Sequence, residues 1–159
     1  MLFARNEEPV GDIDEMPEVE AENYLVVYSG GVLYGVNTRY INTILTEISI
    51  AQLPMLPRLI RGVINLRGAV VPILDFRLLL GQEPGEKSCT IVLDYEGTQI
   101  GIMVDEVDQT VDIENERILP VPSQSAGGEH KLVSGMCSLP NQNGTLMVLD
   151  CSLLFHGQL

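Results

Sequence analysis

The two halves of this 159-residue chain carry the same pattern in the same order. With a shift of 66 residues, Leu25-Val26-Val27 lies on Ile91-Val92-Leu93, Gly31 on Gly97, Gly35-Val36 on Gly101-Ile102, and Ile41 on Val107. A shift of 73 places Gly62 on Gly135 and Leu66 on Leu139, and a shift of 75 places Asp75 on Asp150 and Leu78-Leu79 on Leu153-Leu154. The growing offset means that loops of the second copy hold a few extra residues. A repeat of this kind is one supersecondary unit used twice. It predicts a folded region over 23–156 made of two similar β subdomains, about 23–82 and 83–156. A short sheet has two open edges. Closing it into a small barrel removes them, and packing two barrels together buries a common face.

The strands are read from β-rich runs between turn residues. Tyr24–Tyr28 and Val32–Val36 flank the turn Ser29-Gly30-Gly31. An apolar stretch from Tyr40 runs through Leu45 to Ile50, and Pro54 and Pro57 bracket a kinked connection. A short helical turn is predicted over Arg58–Gly62, and Arg77–Leu80 closes the first half before Gly81. In the second half Gln124–Gly128 reads as a mobile loop, with one helical turn over Glu129–Val133. Apolar residues make up 45% of the chain and aromatics only 5%, so the excess lies in Val, Ile and Leu, which favours a mainly β fold.

One run differs from the rest. Arg61-Gly62-Val63-Ile64-Asn65-Leu66-Arg67-Gly68-Ala69-Val70-Val71-Pro72-Ile73-Leu74-Asp75-Phe76-Arg77 is nearly all apolar, yet an Asn-Leu-Arg-Gly turn cuts it. Strands Gly62–Leu66 and Ala69–Leu74 fold back on that turn. An arginine held at a rigid apex is well placed for the carboxylate of a partner, because its planar fork bonds two oxygens at once. The competing reading of Arg67 is an ion pair within the chain, and that of Ile41 and Ile44 is core packing.

Charge narrows the partners. Residues 1–22 hold eight acids and Arg5, and are read as an acidic, disordered tail. Residues 23–82 hold five arginines against two acids, and residues 83–159 hold twelve acids against three bases. A net charge of −13 repels nucleic acid and anionic lipid over most of the surface. The local exception is Arg58, Arg61, Arg67 and Arg77, which predicts one basic face on an acidic body. No apolar run reaches membrane-span length, and no basic segment followed by an apolar one opens the chain. Cys89, Cys137 and Cys151 sit among apolar residues, and an odd count without disulfide-like spacing predicts reduced thiols in a cytoplasm.

Catalytic and cofactor chemistry has no pattern to rest on. His130 and His156 stand at no ligand spacing from a cysteine or from each other, so no metal site is expected. There is no phosphate-cradling Gly-rich loop. The acids Asp105, Glu106, Asp108, Asp112 and Glu114 lack the order of a calcium loop and read as a solvated face. Ser134 near His130 has no orienting acid. The expectation is a protein without catalytic, cofactor or metal residues that works by surface recognition.

These motifs together resemble the CheW family of bacterial chemosensory adaptors. The resemblance spans 23–156. It rests on Tyr24-Leu25-Val26-Val27, Tyr34-Gly35-Val36, the run Pro57 to Arg77, Gly101-Ile102-Met103-Val104-Asp105, and Gly135 followed by Leu146 to Leu154. It implies two five-stranded SH3-like barrels around a shared hydrophobic core, with short helical connections. It also implies a non-enzymatic adaptor, cytoplasmic and recruited to membrane-associated arrays. Such an adaptor couples the cytoplasmic tips of transmembrane chemoreceptors to the regulatory domain of the histidine kinase CheA, with no nucleic acid and no direct membrane insertion. The candidate partner-binding residues are the turn residues Arg67, Asn65 and Leu66 and the apolar Ile41 and Ile44, read from the chain itself, to which the resemblance adds Gly62, Thr43 and a contact role for Arg67. The family often has a glutamate in the pattern Val-x-Glu-Ile, and here Ile41-Asn42-Thr43-Ile44 puts Thr43 in its place. That departure keeps an alternative open: a CheW-like regulatory domain of a non-flagellar pathway, such as type IV pilus or second-messenger signalling, or an array inhibitor.

Overall fold

The computed structural model describes residues 20–85, 89–121, 132–139 and 144–156. Among these residues ten strands and two short α-helices follow one another. They are β1 (Ala21–Ser29), β2 (Val32–Asn37), β3 (Ile41–Leu45), β4 (Ile60–Leu66), β5 (Ala69–Asp75) and α1 (Phe76–Leu79). The second set is β6 (Cys89–Tyr95), β7 (Thr98–Val104), β8 (Glu106–Glu114), β9 (Val133–Ser138), β10 (Thr145–Leu149) and α2 (Cys151–Phe155). Element by element, β6 to α2 repeats β1 to α1.

The repeats do not, however, fold as separate sheets. One sheet has the order β8-β1-β2-β10-β9, and the other β3-β6-β7-β5-β4. Each repeat gives its first hairpin to one sheet and its last three strands to the other. The division at residues 82 and 83 therefore does not match the sheets: one is contiguous, from β3 to β7, and the other is assembled from both ends of the chain. The joins between repeats include one parallel pair in each sheet, Ile73 on Gly101 and Val148 on Gly35. These pairs are equivalent under the shifts of 75 and 66 residues, so the exchange obeys the repeat's own two-fold relation.

Burial explains why the strands read as unbroken apolar runs rather than alternating ones. In β1, Leu25 and Val27 face a large core between the sheets, while Tyr24 and Val26 face a smaller core inside their own barrel. In β6, Ile91 and Leu93 face the common core and Val92 faces the interior of the second barrel. Both faces of each sheet are thus covered, one by its own barrel and one by the other sheet. Phe76 on α1 and Tyr34 on β2 meet edge to face at 4.9 Å in the common core, joining the two sheets.

Each barrel is closed by a bridge from one edge strand to the segment that follows the other. Ala51 and Val63 exchange backbone hydrogen bonds of 2.8 and 2.9 Å, and Leu119 and Met136 exchange two of 2.8 Å. Glycine makes room at both closures. A Cβ at Gly62 would stand 2.5 Å from the Ala51 carbonyl oxygen, and one at Gly135 would stand 2.9 Å from that of Leu119. The helices start alike too. Asp75 caps α1 by accepting from the Arg77 N–H at 2.9 Å, and Asp150 caps α2 by accepting from the Ser152 N–H at 3.1 Å.

Other expectations are corrected at the edges. Ala21 and Glu22 belong to β1, not to the acidic tail, because Ala21 pairs with Glu114 and the Glu22 carboxylate accepts from Asn37 at 2.6 Å. Residues 58–59 form a turn closed by the Ile60 N–H to the Pro57 carbonyl, after which β4 begins; no helical turn extends to Gly62. The acidic run is largely strand β8, whose Glu106, Asp108 and Asp112 are exposed. The Gln124–Gly128 loop and most of the Glu129–Val133 turn lie outside the described residues.

Two substitutions test this account. Gly62→Ala pushes the closing strand off the Ala51 carbonyl and is expected to cost about 1–3 kcal/mol in chemical denaturation. Phe76→Ala empties a site on both sheets and is expected to cost about 3–5 kcal/mol, with an unchanged dependence on denaturant.

Candidate functional site

The hairpin β4–β5 turns through Arg67 and Gly68 alone, since Leu66 pairs with Ala69. Both turn residues have positive φ, 54° and 88°. This two-residue geometry matches the twist of the flanking strands, but an arginine pays for it with a left-handed backbone. The Asn65 side chain accepts from the Gly68 N–H at 3.0 Å and ties the turn to β4. The same device recurs at β6–β7, where Glu96 and Gly97 have φ of 52° and 87° and Asp94 accepts from the Gly97 N–H at 3.1 Å. The backbone is therefore a general solution for these hairpins. What singles out the first is the charge it presents.

Of the four arginines predicted to form a basic face, two are already occupied. Arg61 pairs with the buried carboxylate of Asp75 at 2.6 Å. Arg77 forms a two-pronged pair with Asp105, its Nε donating at 2.8 Å and its Nη2 at 2.7 Å. The carboxyl of Asp105 is held below its ordinary value chiefly by these hydrogen bonds, against the opposing effect of burial. Arg58 and Arg67 make no ion pair among the described residues, so the intrachain reading of Arg67 finds no acid there.

Beside the hairpin lies an apolar cavity of about 400 Å³, lined by Leu45, Ile48, Ser49, Ile64, Asn65 and Leu66. Barrel closure makes it. β3 and β4 stand at opposite ends of the sheet order, yet the segment after β3 returns to bridge β4 at Ala51 and Val63. The end of β3 is thereby brought beside the tip of β4. Near it Val70, opposite Asn65 in the hairpin, is 67% exposed and Ile44, next to Leu45, is 40% exposed; Leu53 and Met55, past the closing bridge, are open as well. Apolar side chains this open, next to a guanidinium without an acid, are what a protein contact surface offers.

The seven sequence-derived residues divide. Asn65, Leu66 and Arg67 sit together at the hairpin tip, and Ile44 adjoins the cavity-lining Leu45. Thr43 is half-buried and pairs with Val92. Ile41 is half-buried and packs against the common core, as the core-packing reading of it held. Gly62 is buried beneath Ile50 and Ala51, so its place is in barrel closure rather than on the surface. The reading missed Ile48 and Ser49, whose only signal was the apolar stretch running on past β3, and the exposed Val70 and Met55. A second cleft, about 350 Å³, opens near Tyr40, Tyr95, Asp150 and Ser152. Among the described residues no group of His, Cys, Asp and Glu is placed to hold a metal ion, and no helix is long and apolar enough to cross a membrane.

Comparison with known proteins agrees with this architecture. A model of the CheW-like domain matches residues 23–158. The chemotaxis protein CheW of Klebsiella aerogenes is 28% identical over 144 residues, covering 89% of this chain and 86% of that protein. That of Rhizobium meliloti is 33% identical over 101 residues, covering 62% and 65%. Among solved structures, the scaffolding protein TtCheW of Thermoanaerobacter tengcongensis superposes with a TM-score of 0.77 at 24% identity, over 87% of this chain and 95% of that one. With the family match spanning nearly all of the two-barrel region, this chain belongs to the CheW-like family.

Proposed function

We propose that the protein is a non-enzymatic chemotaxis adaptor that couples the cytoplasmic tips of chemoreceptors to the regulatory domain of a CheA histidine kinase. The observation that carries this reading is the hairpin apex. Arg67 is held in a fixed left-handed turn, without an acid among the described residues, beside an apolar cavity that accepts a side chain from outside. A partner that supplies a carboxylate to Arg67 and an apolar side chain to the cavity satisfies both. Its relatives' names place those proteins in chemotaxis, and family membership supports carrying that role here.

Thr43 sharpens the claim. It sits on β3 without a carboxylate to offer Arg67, which leaves Arg67 free for an acid on a partner. Two distinct contacts, one to kinase and one to receptor, would place the kinase where receptor state biases its activity, which is a coupling between sites rather than chemistry. Recruitment to the membrane then comes through the receptor, from a cytoplasmic pool.

Calorimetric titration with the CheA regulatory domain of the same genome is expected to show saturable binding at micromolar affinity or tighter. Arg67→Glu is expected to weaken it about 10- to 100-fold, a loss of about 1.4–2.7 kcal/mol, with unchanged circular dichroism. Ile44→Asp is expected to act in the same direction. Wild-type affinity in the folded Arg67→Glu variant removes the hairpin from the interface. Absence of binding by the folded wild type favours a CheW-like regulator of a non-flagellar pathway.

A further inference from the structure

The two-fold relation between the repeats defines two equivalent junctions where the chain crosses from one barrel to the other. At each, a crossover meets the hairpin of one barrel and the short helix that follows the other's last strand. At the first, the crossover residue is Asp105, between β7 and β8. It takes two hydrogen bonds from Arg77 on α1 and one of 3.1 Å from the Gly30 N–H in the β1–β2 turn. Its own N–H donates to the Tyr28 carbonyl at 2.9 Å. At the second junction the crossover is Thr38–Tyr40, between β2 and β3. The shift of 66 residues places Arg39 on Asp105, and the shift of 75 places Ser152 on Arg77, so no ion pair joins the crossover to α2; Arg39 instead pairs with Glu22 on β1, within its own barrel. Tyr95, at the end of β6, lies 5.7 Å from Tyr40 and stacks on Phe155 of α2 at 5.4 Å, with His156 edge-on. The 350 Å³ cleft opens on this side, with Tyr40 and Tyr95 in its wall.

We propose that Arg77 and Asp105 are positioning residues that form a fixed ionic clamp between the barrels, and that the aromatic junction opposite is where changes in the inter-barrel angle are taken up. The argument is one of bonding. Asp105 ties three chain segments by directional hydrogen bonds, and a forked arginine–carboxylate pair has one good geometry. Ring contacts have preferred arrangements but are built from many weak pairwise attractions, so they yield more readily than a charge-assisted fork with one good geometry. The same three elements are thus joined stiffly on one side and compliantly on the other. In a scaffold with a contact on each barrel, that angle is the geometry transmitted. This last consequence rests on the proposed adaptor role, whereas the clamp does not.

The test is an inter-barrel distance distribution from spin labels at Asn42→Cys on β3 and Asp108→Cys on β8, both exposed edge positions, in a Cys89→Ser background where Cys137 and Cys151 are buried. Arg77→Gln and Asp105→Asn are expected to broaden and shift the distribution while circular dichroism is unchanged. Arg77→Lys, which keeps the charge without the fork, is expected to fall between. Tyr95→Leu, on the compliant side, is expected to leave a single narrow distribution, displaced if at all. Acid supplies a second readout. The charge acting on Asp105 is Arg77, which also feels Asp75, and its carboxyl is held below the ordinary value by that pair. The clamp is therefore complete above about pH 4, where the unfolded carboxylate titrates, and is lost as pH falls through the lower folded value, so the wild type broadens there and Asp105→Asn does not respond. Unchanged distances in the folded Arg77→Gln and Asp105→Asn variants overturn the proposal, as does equal broadening from Tyr95→Leu. Either result leaves kinase binding through the hairpin untouched, and loss of that binding leaves the clamp untouched.

Discussion

The structure depends on one constraint: neither repeat can bury both faces of its own strands. Each sheet has its own barrel interior on one side and the common core on the other. Its five strands come from both repeats. Leu25 and Val27 meet Ile91 and Leu93 in that common core, and Phe76 bridges to Tyr34. Because the strands are exchanged, the common core is more than a contact between two finished barrels. Removing either repeat leaves each sheet without two or three of its strands, so the two barrels stand or fall together. This ties the stability of the candidate docking barrel to residues far from it in sequence.

Near-equivalence of the halves makes their differences informative. Both closures use a glycine under a carbonyl, both helices start at an aspartate, and hairpins in both halves turn through positive φ. Where the halves diverge, the divergence is in chemistry rather than backbone. The β4–β5 tip carries Arg67 beside an apolar cavity, while the β6–β7 tip carries Glu96 in the same conformation. Across the barrels, one junction is held by an ion pair and the other by aromatic rings. The two halves share a frame and differ in the side chains they present on it.

The arginines show how a charge pattern can mislead. Arg58, Arg61, Arg67 and Arg77 look alike in the sequence. Arg61 and Arg77 are paired with Asp75 and Asp105, acids 14 and 28 residues away: the first lies across the β4–β5 hairpin, and the second just past β7, which joins β5 in parallel. The family resemblance puts Gly62 on the surface that Arg67 serves. It is instead a packing glycine, since alternation along β4 turns it to the barrel closure. Ile48 and Ser49 became part of the cavity wall only because the chain after β3 returns to β4.

The sequence by itself determined the repeat, the hairpins, the turn residues, the apolar strands and the exposed arginine apex. These are local matters, governed by side-chain periodicity and turn chemistry within a few residues. Only the tertiary structure decided which hairpin joins which sheet, because periodicity reports the face a residue turns and not the strand it will meet. An exchanged and an unexchanged pair of barrels would share the same strands, the same turns and nearly the same alternation. The choice lies in two crossovers, Thr38–Tyr40 and Asp105, too short to carry a signal of their own. From that choice follow the Arg77–Asp105 pair and the unlike junctions between the barrels.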